Sequence, residues 1–513
     1  MRFRSAPILF SLLAVAPIGA LADSPAVSLS GTVPSDSAEF FLLPFTVPSG
    51  VAEIEIDHTS ISAQNANILD WGLRDEAGRF RGWGGGNTEP AIIGIDRASR
   101  SYLTGPINAG TWNVLVGKAK VVDSQGQYQV QIYLRTSPTL APQPERRPYK
   151  DVAPLTDKAG WYAGDLHVHV SESGDSKASI DEVATIAMQR GLNWVELSDH
   201  NTTSQLDYLG AYQDKYPNLL FVPGVEFTTY HGHANGIGAT QFVDHTIGFN
   251  GVTIDGAAQA FLTQGAVFSP NHPLLNIPSL CIGCGWSYDL PAEQTQSFEI
   301  ASGGFQEAGF LFDVAVLAQW DAMLDTGAHV AAVGGSDDHR AGIALPEFGS
   351  PVGDPTTLVY AENLSAPAIE AGIRAGRTIV KLDGPSDAMV TMTTTDGHLI
   401  GDTVHGSTHL NVTVTGGQGD QLVLVKNGEQ LDPVDITSDP FEYTAAVAAP
   451  SSGTDRWRAE VLVTDPVNGQ HPGTVTSHIW VAPATPKHGC ASAGGAEWIA
   501  ILGLFSARMK RRR

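Results

Sequence analysis

Along residues 26 to 135 apolar and polar positions alternate in short runs, among them VAEIEIDH, GTWNVLVGKAKVV and YQVQIYL, broken by Gly, Pro and Asn. Strand side chains point alternately to two faces, so such runs between turn residues predict an antiparallel β-sandwich over residues 23–137. The following TSPTLAPQPERRPYK holds four prolines in fifteen residues and predicts a stiff linker within 138–155. From Trp161 to about Leu382 the pattern changes. Strand-like WYAGDLHVHV, NWVELSDH, LLFVPGVEF, AVFSPNHP, SFEI and HVAAVGGSDDH are separated in places by helical segments such as SIDEVATIAMQRG and SQLDYLGAYQDKY. Ser179 and Glu182 have capping-box spacing, and Gly191 suits a helix end. Strands alternating with helices predict an α/β unit with a parallel sheet or barrel over residues 156–385. Period-two runs return between Asp387 and Ala482, with an Asn427-Gly428 hairpin turn, and predict a second β-sandwich over residues 386–485.

The candidate chemistry sits at the ends of the middle strands. His167 and His169 close the first, Asp199 and His200 follow the second, and Glu226 closes the third. His272 follows AVFSPN, and Asp337 and His339 follow HVAAVGG. In αβ barrels the C-terminal strand ends converge on one mouth, which would make these scattered residues neighbours. Imidazoles and carboxylates are ligands for zinc, manganese and iron alike, and a His-x-His pair on a strand puts both rings on one face, where they reach one ion. A lone strand histidine is more often an ordinary core or surface residue. Six of the 16 histidines at strand ends or adjoining turns make a different case.

Charge and cysteine content narrow the partners. The chain carries 30 basic and 54 acidic residues, a net charge of −24. A surface this acidic repels phosphate backbones and argues against a nucleic-acid partner. CIGC, with Cys281 and Cys284, has no second pair to complete a zinc ribbon, so a local disulfide or an inert loop is the expected form. Arg2 and Arg4, the apolar PILFSLLAVAP and Ala20-Leu21-Ala22 predict a signal peptide over 1–22, and with it export to the periplasm, cell surface or medium. Residues 488–513 combine Cys490, a short apolar run and an arginine cluster. The run is too short, and too interrupted by Glu497, for a membrane-spanning helix. It resembles the tripartite sorting tails of bacterial exported proteins, through which the chain would reach a membrane or cell surface; the alternative is a frayed basic tail.

Taken in order, DLHVHVSESGDS, LSDHN, GVEFTTYHGHANGIG, SPNHP and GGSDDHR resemble the PHP (polymerase and histidinol phosphatase) superfamily of metal-dependent hydrolases, and GVEFTTYHGHANGIG with PTTLVYAENLSAPAIEAGIRAGRTIV resembles its CehA/McbA branch, named for carbaryl hydrolase. The resemblance covers about a third of the chain. It implies a distorted (βα)7 barrel holding two to three divalent ions, zinc, manganese or iron. His167, His169, Glu226 and Asp337 would hold one ion, Glu226 would bridge to a second held by His233 and His272, and Asp175, His200 and His339 would hold the third. Val170 stands where the family usually has Thr or Ser, and His231 competes with His233, which the spacing of GHANGIG favours. Asp199 is expected to orient an imidazole, Asp338 to face solvent, and Arg340 either to meet a substrate anion or to form an ion pair.

Clustered ions would activate water and polarise the electrophile. That agrees with the lack of a GxSxG elbow or a Walker loop. Asp337 is the first candidate to protonate the leaving group, with His233 and His339 next. The expected activity is that of an exported phosphoesterase acting on a small molecule. The alternatives are an ester or carbamate hydrolase and, from another class, a non-catalytic exported binding protein.

Overall fold

The computed structural model describes residues 24–277, 281–289, 292–303, 310–341, 351–465 and 469–485. The leader expected at 1–22 and the tail expected at 488–513, with Cys490, lie outside the described residues. Period-two patterning yields eight strands first: Val27–Thr32 (β1), Phe40–Val47 (β2), Glu53–Ile61 (β3), Ile68–Arg74 (β4), Phe80–Gly85 (β5), Ala91–Gly94 (β6), Gly110–Lys120 (β7) and Gln127–Arg135 (β8). They form two antiparallel sheets in the orders β1-β8-β3-β6 and β2-β7-β4-β5. The inward faces share one core, with Ile54, Ile56, Ile93 and Ile132 from one sheet meeting Phe45, Leu73, Trp112 and Val114 from the other. That is sheet-on-sheet packing driven by burial of alternate side chains.

The proline-rich segment is strapped down rather than spanning open space. Arg146 donates to the carbonyls of Tyr102 (2.7 Å) and Ala98 (3.0 Å) and faces Asp207 at 3.4 Å. Arg147 N donates to Asp207 O at 2.7 Å, and Leu155 N to Leu364 O at 2.9 Å.

The middle of the chain is mixed α/β. It comprises Gly160–Asp165 (β9), Ile180–Gln189 (α1), Trp194–Leu197 (β10), Leu206–Lys215 (α2), Leu220–Thr229 (β11), Gly232–Ile237 (β12), Ile254–Thr263 (α3), Val267–Pro270 (β13), Ser297–Ser302 (β14), Phe310–Leu324 (α4), Ala331–Gly335 (β15), Thr356–Ala361 (β16), Ala366–Arg374 (α5) and Thr378–Lys381 (β17). The capping box at Ser179 and Glu182 forms as expected and starts α1. Strands β9, β10 and β11 are parallel, whereas β12 turns back on β11 as a hairpin and β13 pairs antiparallel with β12. Strands β14 and β15 make a separate parallel pair. Among the described residues β9 to β15 therefore do not close as one continuous ladder. Single bonds link the pieces: Gln296 N to Phe268 O (3.1 Å), Asp337 N to His167 O (2.8 Å) and His169 N to Asp338 O (3.0 Å).

Strand β16 runs antiparallel on the other side of β9 and hands the sheet on to β17. The last strands are Met389–Thr394 (β18), Thr403–His405 (β19), Thr408–Thr415 (β20), Gln421–Lys426 (β21), Glu429–Gln430 (β22), Val434–Asp435 (β23), Phe441–Val447 (β24), Asp455–Asp465 (β25), Gly469–Thr476 (β26) and Ile479–Ala482 (β27). Asn427 and Gly428 both have positive φ, 50° and 86°, and form the expected tight turn between β21 and β22. Val380 of β17 pairs with Val475 of β26, so one sheet runs from the middle of the chain into its last strands. The second β-unit buries Val390, Leu410, Val461 and Val481 in a core that also holds Leu358 and Ile379 of β16 and β17.

Candidate metal centre

Asp165 at the end of β9 accepts hydrogen bonds from the backbone N–H groups of His167 (3.1 Å), Ser336 (3.0 Å) and Gly353 (2.7 Å), fixing three segments at one point. Beyond it Leu166, Val168 and Val170 are fully buried in hydrophobic clusters. Residue alternation then drives His167 and His169 to the opposite side. Val170 thus fills core where the resembled family carries a hydroxyl. Gly335 makes room for the first ring, because a Cβ there would lie 2.4 Å from the Cβ of His167.

Four of these side chains converge. His167 Nε2 lies 3.3 Å from Glu226 Oε1 and 3.2 Å from Asp337 Oδ1, and His169 Nε2 lies 3.4 Å from Glu226 Oε2 and 3.1 Å from Asp337 Oδ1. Donor atoms of all four fall within 4.8 Å of one another. Glu226 reaches outward as well: His233 Nδ1 and His272 Nε2 both stand 3.2 Å from its Oε1, and His200 Nδ1 stands 2.6 Å from its Oε2. A further group, His169, His200 and His339, is equally tight. Asp175 sits at its rim, 3.3 Å from His200 Nε2 and 3.5 Å from His339 Nε2, with an exposed side chain. All nine expected ligands are therefore drawn to one site. His231 is not, since it is exposed and pairs with Glu39 at 2.7 Å.

The donor chemistry fits divalent cations. Burial opposes ionisation of Glu226, yet His200, His167 and His233 hold its carboxyl well below the usual range. Asp337 is likewise held low against burial, chiefly by His167 and His169. Burial, with His339 and His200 close by, pushes His169 down to about 3, which leaves it a neutral donor. Burial also disfavours the His167 cation, but Asp337, Glu226 and Glu299 outweigh it and raise that ring well above its ordinary value. So much negative charge calls for positive charge inside the centre: the carboxylates place it on His167 and, in the same way, on His200 and His339, and a divalent ion bound there would take over that charge and meet neutral rings. Buried atoms without a hydrogen bond among the described residues include His167 Nε2, both ring nitrogens of His169, Glu226 Oε2 and Asp337 Oδ1. Left without a cation, such a set would be costly. Two of the donors also sit on unusual backbone, His272 at φ 26° and Asp337 at φ 55°, a conformation found where function imposes strain.

The surrounding shell departs from expectation. Glu299 on β14 accepts at 3.0 Å from His167 Nδ1 and at 2.6 Å from the backbone N–H of His272, so it orients one ring and one loop. Asn271 Nδ2 donates to Glu226 Oε1 at 3.1 Å and to Asn235 Oδ1 at 2.9 Å. Asp199, expected to orient an imidazole, instead accepts from the backbone N–H of Val170 at 2.7 Å. Asp338, expected to face solvent, is buried, because the N–H groups of Arg340 (2.5 Å) and Val352 (3.1 Å) draw its carboxylate inward. Arg340 itself is exposed.

The first β-sandwich builds the rim. Arg100 donates to the carbonyls of Ser176 (2.8 Å), Gly174 (3.2 Å) and Ser173 (3.3 Å), gripping the loop that carries Asp175. Ser101 N–H and hydroxyl hold Glu172 Oε2 (3.0 Å) and O (2.7 Å). Within the loop Ser173 donates to Asp175 Oδ1 at 2.8 Å, and Ser176 donates to His339 O at 2.9 Å.

No family model matches the chain, and no curated protein matches it. Among solved structures the chain is similar to a two-domain protein of Bacteroides vulgatus ATCC 8482 containing a predicted PHP-like metal-dependent phosphoesterase, at 18% identity and a TM-score of 0.35, over 65% of this chain and 99% of that one. It is also similar to an engineered protein, at 12% identity and a TM-score of 0.15, over 57% of this chain and 49% of that one.

Proposed function

We propose that the protein is a metal-dependent hydrolase of the PHP type, and first of all a phosphoesterase acting on a small molecule. The observation that carries this reading is the convergence of buried His167, His169 and Glu226 with half-buried Asp337, Glu226 and His169 being shared by flanking donor groups. In this reading β9 to β15 stand for the distorted barrel, with its ladder interrupted between β13 and β14 and between β15 and β9, and the strand ends would supply the ligands. His233 and His272 share Glu226 with the quartet, and Asp175, His200 and His339 make up the third position. When bound, the ions supply Lewis acidity and make a water nucleophilic near neutral pH.

The chain's own part is to hold, orient and move protons. Glu299 and Asn271 fix His167 and Glu226, so the donor set is positioned before substrate arrives. Among the three candidates for proton transfer to the leaving group, Asp337 and His339 are partly open to solvent, with side-chain exposures of 25% and 27%, while His233 is buried at 4%. Asp337 also touches both His167 and His169, but held ionised there it has no proton to give and serves as a ligand, so His339, which burial lowers but Asp175 and Asp337 raise to about 9, is the better placed acid.

One observation favours a second reading. Trp286 and Tyr288 pack with ring centroids 5.3 Å apart, beside the hairpin that carries His233, and offer an apolar wall to the ester or carbamate of an aromatic alcohol. Paired cysteines and the expected leader support export, and the expected tail supports attachment to a cell surface. Elemental analysis beside the His167→Ala/His169→Ala double variant, with 4-nitrophenyl phosphate and 1-naphthyl carbamate turnover on the same samples, tests the proposal. Two to three ions per chain, lost together with turnover in the double variant, are expected, and phosphate turnover outrunning carbamate turnover picks the first reading. Folded protein that takes up no zinc, manganese or iron would overturn both and favour an exported binding protein.

A further inference from the structure

CIGC has no part in the hydrolase reading, yet it lies beside the centre. Cys281 and Cys284 are paired as a disulfide, with Cα atoms 5.8 Å apart. Both sulfurs and a ring nitrogen of His233 fall within 4.8 Å of one another. His233 has two nitrogens to offer: Nδ1 lies 3.2 Å from Glu226 Oε1, whereas Nε2 is buried with no hydrogen-bond partner among the described residues. The loop is also pinned to the hairpin that carries His233. Gly283, at φ +78°, packs so tightly that a Cβ would lie 2.5 Å from the carbonyl carbon of Tyr230 and 2.7 Å from the oxygen of Thr229. Ser287 N donates to His231 O at 2.9 Å, and Trp286 N to Pro273 O at 2.9 Å. These contacts hold the loop against the hairpin and the segment after β13 without using the S–S bond.

Two thiolates and an imidazole form a soft donor set that selects zinc-like ions over hard cations. We propose that reduction of Cys281 and Cys284 creates a second metal site, with His233 as third ligand, for one soft divalent ion. A dithiol gives up two electrons and two protons, the S–S bond breaks, two thiols form and the dithiol becomes its own disulfide. The ion then displaces one proton from each thiol. Because His233 also faces Glu226, the sulfur site would draw on a residue of the main centre only under reducing conditions.

The test uses the full chain carrying Cys490→Ser, so that Cys281 and Cys284 are its only sulfhydryls, with cobalt(II) as the probe. A phosphine reduces one half of the sample, breaking the S–S bond with water and ending as its oxide. The reduced half should bind one more cobalt per chain than the oxidised half and gain a thiolate-to-cobalt charge-transfer band. Cys281→Ser/Cys284→Ser should lose both while keeping the cobalt count of the oxidised chain, and His233→Ala should weaken the band-forming site at least tenfold. Two titratable thiols without the band, whether the loop stays folded or opens, would overturn the site, and a band of undiminished affinity in His233→Ala would overturn its third ligand. The band reports on sulfur alone, so it succeeds or fails separately from the hydrolase reading, which the ion count of the oxidised chain decides.

Discussion

The two flanking β-units attach to the middle of the chain in different ways. The first packs its two sheets on each other around a core of its own and meets the middle of the chain through polar contacts to the Asp175 loop, to the β11–β12 turn and to Asp244, plus an aromatic patch in which Phe80 stacks on Phe242 and Phe40 on Tyr230. The second shares a sheet and a core with β16 and β17. Shared strands make the second unit a matter of stability. Hydrogen bonds from Arg100 to the Asp175 loop make the first a matter of site geometry.

The largest expected effect breaks the shared sheet. Val475 is fully buried opposite Val380, so Val475→Asp puts an unpaired charge in the seam and should cost about 3–5 kcal/mol. Denaturant unfolding should show both parts failing in one transition; loss confined to the second unit would refute the continuity. Next comes the centre between the units, where Asp337→Ala should lower turnover on the order of 10² to 10⁴-fold with the fold retained. Full kcat with full metal content in that variant would remove Asp337 from the mechanism.

Arg100→Ala probes the first unit. With the side chain mostly buried and the donor to three carbonyls lost, stability should fall by only about 1–2 kcal/mol. Metal content should fall by one ion per chain as the Asp175 loop loosens, and an unchanged count would make the first unit a bystander. The smallest effect is a pH slope at the same interface. Burial raises Asp70 to about 6 from an ordinary 3.8, although the Tyr230 hydroxyl donates to it at 2.7 Å. A carboxyl whose folded pKa lies above its unfolded one takes up a proton on folding, so its contribution is fully present below about pH 4 and lost as pH rises through about 6. Asp70→Asn should flatten the dependence of Tm on pH across that window, measured against the unaltered chain; identical slopes would dismiss Asp70 as the source.

Much of the site was legible in the order of residues. His-x-His in an aliphatic run, an acid closing LLFVPGVEF and a His–Asp turn after HVAAVGG all follow from strand periodicity plus ligand chemistry. The spacing of GHANGIG already favoured His233 over His231, and the hairpin β11–β12 supplies the physical reason: one ring faces Glu226 and the other pairs with Glu39. Glu299 was missed. Its only signal was an acid inside the apolar strand SFEI, and nothing local said which ring it would meet.

Sequence by itself determined the alternations, caps and tight turns, because backbone geometry and neighbour spacing act over a few residues. It also determined the donor types and their places at strand ends. Tertiary structure alone decided that the last strands extend the middle sheet, that Asp338 turns inward, that Arg100 reaches a loop more than 70 residues away and that Cys281 and Cys284 stand beside His233. Each of these depends on which distant segments share a boundary, and packing free energy is a sum over such contacts rather than a property of any short stretch.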